Sequence, residues 1–295
     1  MKTIVTHFAP DVDAVTSVWL LKRFLPGWAK AELAFVPAGQ TLDKSMVDSD
    51  PDILHVDTGL GRLDHHQADE DTCAAAKTME FIADQIIPGK PPLKVRGGRG
   101  ALTKYRKFPD EALTRLIDVV NDIDHFREVY FPNSTADFYD FGFVAILDGL
   151  KLIFPEDHQK IAETGLLILD GIYKTFQNKV WAEAEINRNG VEFKTSWGKG
   201  IGVETVNDEI VRIGLRQGYK VVVRKDPKKN YVRIKAKPGS EINLTSCYNR
   251  YRKLDSAATW YLHQSRKMIL NGSMKNPDSK PTKLTLREII EVLKK

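Results

Sequence analysis

The sequence predicts an α/β protein of two domains, a parallel-sheet domain over residues 1–188 followed by a smaller α+β domain over residues 189–295. Three observations lead there. From the first residues on, short β-branched or apolar runs alternate with a segment of helical period, the pattern of a parallel sheet crossed by helices. After Asn189-Gly190 the texture changes to short strand-like runs with helices between them. Finally, 295 residues of which 42% are hydrophobic suffice to bury two cores.

Taken in order, Thr3–Thr6 is a β-branched run that reads as a buried strand ending at His7. Asp13 is expected to cap a helix carrying Val15, Val18, Trp19, Leu20, Leu21 and Phe24, closed by Pro26-Gly27. Leu33–Val36 and Ile53–Val56 are the next two strands. Ligand crevices in such sheets lie at the carboxyl ends of the strands, where His7, Asp11 and Asp57 fall. Cys73–Ile87 is helical, and Pro88–Phe108 is a Gly/Pro/Lys/Arg-rich connection of a length that is usually functional or disordered. Leu113, Leu116, Ile117, Val120 and Ile123 give Pro109–Val129 a helical spacing, with Asp122 and Asp124 near its end. Ala136–Phe154 and Glu156–Ile186 read as two further helices.

In the second domain, Val191–Thr195, Ile201–Glu204, Tyr219–Arg224 and Tyr231–Lys237 read as strands, with Val206–Arg216 a helix among them. Leu244–Lys253 is a helix, Thr259–His263 and Lys267–Leu270 form a hairpin, and Leu286–Leu293 closes the chain as a helix.

The bulk composition narrows the function classes. No run approaches the roughly 20 apolar residues a membrane span needs, and Met1-Lys2 leads straight into a strand, so the expected location is cytoplasmic. Cys73 and Cys247 stand far apart and outside any pair motif, which speaks against both a disulfide framework and a thiolate zinc site. The formal charge of +5 is unevenly spread, with basic residues crowding Lys90–Lys107 and Arg212–Lys237. That distribution suits an anionic ligand, and equally a solvated, solubilising face.

The chemistry concentrates in His7, Asp11, Asp13, Asp57, Asp64, His65 and His66, with Asp124 further on. Imidazole nitrogen and carboxylate oxygen without thiolate suit Mn²⁺ and tolerate Mg²⁺, Co²⁺ or Zn²⁺. Asp11, Asp13, Asp57 and Asp124 would repel one another in one crevice, and two divalent ions would cancel their charge. Two metals roughly 3.5–4 Å apart form a clamp suited to phosphate-ester hydrolysis, activating a water while polarising the phosphoryl oxygens. Each residue also has a plainer reading: Asp13 as a helix cap, His7 as a structural histidine, Asp118, Asp122 and Asp124 as a solvated helix face.

At His7-x-x-Pro10-Asp11-x-Asp13-Ala14-x-x-Ser17, Val56-Asp57 and Asp64-His65-His66, the sequence resembles the DHH phosphoesterase superfamily, over about the first 130 residues. The short gap from Asp57 to Asp64 and the following Gln67 are more similar to the MYG1-like and RecJ-like nucleases than to the pyrophosphatases. The resemblance implies that His7 and Asp11 hold one ion and Asp13 with His65 the other, that Asp57 bridges both, and that Asp124 completes the second site. Asp122 lies about 200° around the helix from Asp124, so only one of them can face the metals. By the same resemblance Asp64 orients His65, and His66 faces the phosphate as donor or acid for the leaving oxygen.

Many relatives end in a glycine-rich stretch around a histidine, which this chain lacks. Its nearest counterpart is Thr259–Lys267, whose His263, Arg266 and Lys267 could contact phosphate oxygens, although an ordinary hairpin with Trp260 and Leu262 in the core explains the segment equally. Arg62, Arg96 and Arg99 are further candidate anion contacts. The expectation is a phosphoesterase acting on a nucleotide or short nucleic acid through a two-metal-activated water, with its site between the domains. A pyrophosphatase or other small-phosphate hydrolase, and a non-catalytic nucleotide- or RNA-binding module, are the alternatives. Oligomeric state is not readable from the sequence.

Overall fold

Thr3, Ile4, Val5 and Thr6 build the central strand of the first sheet in the computed structural model, which describes residues 1–67, 69–86, 110–273 and 275–294. β1 (Thr3–His7) lies between β2 (Glu32–Val36) and β3 (Ile53–His55), both parallel to it. Ile4 and Val5 are fully buried, as the middle strand of a covered parallel sheet requires. Val5 pairs with His55, so continuing the register by two residues sets His7 level with Asp57. The Val56 amide donates to the Val5 carbonyl and extends the pairing towards that point.

Between β1 and β2 runs α1 (Val12–Phe24), in which every residue from Val12 to Leu21 is buried. A helix apolar on nearly all sides is one packed on several neighbours. Here these include α2 (Ala74–Ile86) and α3 (Glu111–Asp124). The helix begins two residues earlier than predicted. Asp11, with extended backbone, is its cap and accepts from the Ala14 amide, while Asp13 lies inside the first turn. The third helix also stops sooner, at Asp124, because Phe126 takes a left-handed backbone and the chain continues as a 3-10 turn over Arg127–Tyr130. The predicted helix over Ala136–Phe154 divides into a 3-10 turn at Tyr139–Phe141 and α4 (Phe143–Ile153), with an extended Gly142 between them. The last helix of this series is α5 (His158–Asn189).

The chain divides into two compact units, Met1–Phe176 and Gln177–Lys295. The division falls inside α5. The sequence reading sets it at residue 188 because the change of texture marks the end of that helix, not the point within it where contacts separate.

The second unit is a mixed sheet of order β4-β5-β6-β7-β9-β8, made of β4 (Val191–Thr195), β5 (Gly198–Glu204), β6 (Val221–Lys225), β7 (Val232–Ala236), β8 (Trp260–Leu262) and β9 (Met268–Asn271). Only β5 and β6 pair in parallel, and α6 (Glu209–Arg216) connects them. Both faces of β6 are covered. Val221 and Val223 join the core under α7 (Thr245–Leu254) and α8 (Leu286–Leu293), whereas Val222 joins the opposite core with Ile210, Ile213 and the α5 residues Ala182 and Ile186. The predicted β8–β9 hairpin forms, and Trp260 is buried in the first of these cores, stacked on Tyr251. No helix among the described residues is long and apolar enough to cross a membrane.

Gly272, at the end of β9, has φ +76, and a Cβ added there would meet the Tyr231 ring at 2.0 Å. Gly239 also has a positive φ, +68, but open space around it. Gly239→Ala should therefore cost about 1–2 kcal/mol from backbone strain alone. Gly272→Ala should cost about 1–3 kcal/mol more, from overpacking. Urea unfolding of the two variants would check this, and equal costs would show that Tyr231 moves aside freely.

Candidate metal centre

His7, Asp11, Asp13, Asp57, His65 and Asp124 converge on one region of the first unit, and each reaches it for a local reason. His7 ends β1, and its Nδ1 hydrogen-bonds the Phe8 carbonyl at 2.8 Å, so Nε2 is the nitrogen turned to the centre. That Nε2 lies 3.3 Å from Asp57 Oδ2 and 3.8 Å from Asp11 Oδ2. Asp11 reaches in from the start of α1 while its other oxygen caps that helix.

Asp13 is 2% exposed and has a second task that its position in α1 does not suggest. Its two oxygens accept from the Ala74 and Ala75 amides at 2.6 and 2.8 Å, holding the amino end of α2. Helix amino ends favour an anion, and charge-assisted bonds of this kind are worth about 1.5–3 kcal/mol each. Asp13 therefore does not cap its own helix, as expected, but holds the start of one some sixty residues away in sequence.

Asp57 stands two residues past β3 with a left-handed backbone at φ 52, and Ala9 and Leu60, in the loops carrying the other ligands, share that conformation. Backbone strain of this kind costs about 1–3 kcal/mol per residue and persists where the surroundings enforce it. The strained turn, tied by the Asp57 amide to the Leu63 carbonyl, sets the carboxylate astride the centre. Its Oδ2 faces His7, and its Oδ1 lies 3.6 Å from His65 Nε2 and 3.7 Å from His66 Nδ1.

His65 Nε2 is also 3.8 Å from Asp13 Oδ2 and 3.6 Å from Asp124 Oδ2. Asp124 is the last residue of α3, where a helix carboxyl end favours a cation. Asp122 faces elsewhere and pairs with Arg127 at 3.0 Å, which settles which of the two aspartates joins the group. Asp64 orients His66, not His65 as the resemblance implied. Fully buried, it accepts from His66 Nδ1 at 2.7 Å, from the His66 amide and from the Leu60 amide, closing the 60–66 loop on itself.

Three sets of side chains each offer ligand atoms within 4.8 Å of one another: His7, Asp11 and Asp57; Asp13, His65 and Asp124; Asp57, His65 and His66. The donor chemistry fits a divalent cation. Asp57 Oδ1 and His65 Nε2 are moreover buried without a hydrogen-bond partner, as expected of atoms whose partner is an ion. Without one the group is electrostatically frustrated. Burial and the neighbouring Asp57 and Asp124 carboxylates push Asp13 well above the usual carboxylate range. Burial, with Asp57 and Asp11 nearby, also pushes Asp124 up. Burial opposes the charge on Asp57 as well, but the facing His65 and His7 hold it down at about 2. The Asp57 carboxylate raises His65 to about 9 against burial. At His7 burial is outweighed by Asp57 and Asp11, and the result is again about 9.

Several residues outside the predicted set support this arrangement. His125 caps the end of α3 through the Asn121 carbonyl and lies 3.6 Å from Asp124. Asp71 receives Asn121 Nδ2 at 2.9 Å and Arg127 at 2.6 Å, clasping the same helix end. His158, at the start of α5, accepts from the Ala9 amide and packs on Phe8 and Phe35, bracing the loop between His7 and Asp11. The i, i+4 spacing of Asn121 and His125 was readable in sequence; the Asp71 and His158 contacts had no local signal.

The candidate anion contacts fare differently. Arg62 pairs with Asp48 and stacks on Phe81, lining a cavity with Lys2 and Trp28 beside the opposite, amino end of β1. Its guanidinium is therefore committed away from the centre. Arg96 and Arg99 lie outside the described residues. In the second unit, His263 and Arg266 occupy the exposed β8–β9 turn, with His263 bonded to Ser265. The Lys267 ammonium donates to the Ser240 and Ile242 carbonyls, bracing a loop. The basic stretch there is partly self-neutralised, since Asp208 pairs with both Arg224 and Arg233. Tyr251 is buried and donates to the Ile289 carbonyl, so it is no stacking platform. No known protein family and no curated protein sequence matches the chain.

The pKa shifts predict opposite pH trends with and without metal. His7 and His65 are raised from 6.5 to about 9, so their contribution to stability is complete below pH 6.5 and lost as pH rises through 9. Asp13, also raised, adds a loss of the same sign that begins as pH rises above 3.8, while the contribution of Asp57 disappears only as pH falls from 3.8 through about 2. Ligation requires neutral imidazoles, so metal affinity should climb over the same rise in pH, with protons of His7 and His65 released on binding near pH 7. Thermal unfolding from pH 6 to 9 with and without Mn²⁺, and calorimetry in buffers of different ionisation enthalpy, would test both. A metal-induced shift in Tm independent of pH would exclude these histidines as ligands.

Proposed function

We propose that the chain is a metal-dependent phosphoesterase of the DHH kind, hydrolysing a phosphodiester in a nucleotide or short oligonucleotide. The observation that carries this reading is Asp57, whose two oxygens face two different histidine–carboxylate sets. His7 and Asp11 would hold one ion, Asp13, His65 and Asp124 a second, and Asp57 would bridge them. Mixed imidazole and carboxylate donors favour Mn²⁺, with Mg²⁺, Co²⁺ or Zn²⁺ tolerated. When bound, two such ions polarise phosphoryl oxygens and acidify a water.

The chain's own residues then have distinct tasks. The four carboxylates and two imidazoles would hold the cations. His66, more than half exposed, has its Nδ1 held by Asp64, which leaves Nε2 for the substrate. As water adds to phosphorus, giving up a proton to solvent, and the ester bond breaks, His66 gives its Nε2 proton to the leaving oxygen and regains one from solvent. Asp64 serves this step by orientation alone, since a buried carboxylate with three donors on it has no freedom to move.

Asp57→Asn should abolish Mn²⁺-dependent hydrolysis across pyrophosphate, dinucleotides and 5′-labelled RNA; undiminished turnover by that variant would remove the proposal. His66→Gln should slow substrates with poor leaving groups by about 10²–10⁴-fold, the usual range for a general acid. A p-nitrophenyl ester, whose leaving group needs no proton, should lose far less. Equal losses on both would assign His66 to metal or phosphate binding instead.

A further inference from the structure

At the amino end of β1, the end opposite His7, the first unit has a cavity of about 410 Å³, within the size range of small-molecule sites. Lys2, immediately before β1, and Arg62, in the loop after β3, both line it. They are its charged members among the described residues, and no carboxylate lies in the wall with them. The sequence singles out Arg62 as an anion contact, and this cavity is the place its side chain reaches.

Both cations keep donors to spare. The Lys2 ammonium lies 4.8 Å from the centre of the Trp28 ring and has no ion pair among the described residues. The Arg62 guanidinium lies 4.6 Å from the centre of the Phe81 ring, and its side chain is 46% exposed, so it is open to a ligand. Its Nε stands 3.4 Å from Asp48 Oδ1, longer than a good hydrogen bond, while the other Asp48 oxygen accepts from the Arg62 amide at 2.8 Å. Trp28 and Phe81 belong to the wall themselves. A cation held against an aromatic face is partly desolvated, and an anion brought to it gains more than it would in open water. A carboxylate is met by one arginine fork alone. Two cations from separate segments match the three oxygens and nearly double charge of a phosphomonoester. The rest of the wall, Leu25, Pro26, Pro51 and Leu54 beside the two rings, is apolar and suits a flat, weakly hydrated body behind the phosphate.

We propose that this cavity is a second ligand site, which takes an aromatic phosphomonoester such as a nucleoside monophosphate, with Lys2 and Arg62 holding the phosphate; it does not depend on the phosphoesterase reading. Calorimetry of the full chain in EDTA, with tryptophan fluorescence to report on Trp28, tests it with AMP, adenosine, benzoate and inorganic phosphate as probes. AMP should bind about tenfold more tightly than each of the others, the worth of one charge-assisted hydrogen bond. Lys2→Gln and Arg62→Gln should each weaken AMP by about the same factor. Asp48→Asn removes the carboxylate that competes for Arg62, so it should tighten AMP by about two- to fivefold, the worth of an exposed ion pair. That gain is one a merely structural role for Arg62 would not produce. Lys2 precedes the first strand, so Lys2→Gln keeps the test decisive even where Arg62→Gln disturbs its loop. Adenosine or benzoate binding as tightly as AMP, or an AMP affinity unmoved by Lys2→Gln and Arg62→Gln, would overturn the assignment. So would AMP binding that appears only with Mn²⁺ and is lost in Asp57→Asn, since that nucleotide would lie at the metal centre.

Discussion

The first unit depends on how it holds the Asp57 carboxylate, which is 3% exposed and has other aspartates around it. Burying such a group is costly unless charge of the opposite sign is brought to it. Two histidines from different loops do this, one facing each oxygen. The arrangement explains why Asp57 stays ionised while Asp13 and Asp124 are pushed towards their neutral forms. The same geometry would let a cation enter each half and displace the proton there.

The surrounding helices are placed to ease this concentration of charge. Asp11 and Asp13 each sit at a helix amino end, and Asp124 ends α3, whose carboxyl terminus favours a positive charge. Asp13 also joins the site to the packing of α2, so the residue that would ligate is one that the fold itself uses. Its loss would therefore disturb stability and chemistry together, unlike that of His66, which is more than half exposed and hydrogen-bonded by Asp64.

The second unit shows a different use of charge. Asp208, Arg224, Arg233 and Asp226 pair among themselves, and Lys267 is occupied by backbone carbonyls. Clustered arginines and lysines in a sequence are thus a weak sign of an anion site: here Arg224 and Arg233 lie opposite each other on β6 and β7, and Asp208, at the start of α6, pairs with both. The turn carrying His263 and Arg266 is the part of the predicted contact set in this unit that is left exposed.

The sequence by itself determined the parallel β-α-β opening, the hairpin of the second unit, the long fifth helix, and the list of histidines and aspartates that meet at the centre. Hydrophobic period and β-branched runs carry the first group, and these are local properties. His7, Asp11 and Asp57 were legible because strand ends and the loops after them concentrate polar residues at one edge of a parallel sheet, whereas the roles of Asp13, His65 and Asp124 were implied by the family resemblance. Only the tertiary structure decided which aspartate of the Asp122–Asp124 pair faces the centre, that Asp13 holds α2, that Asp64 serves His66, and that Arg62 turns away to Asp48 and Phe81. Each of these depends on where a carboxylate or guanidinium finds its partner across tens of residues. Propensity and spacing carry no information about that choice, because it is made by the packing of distant elements.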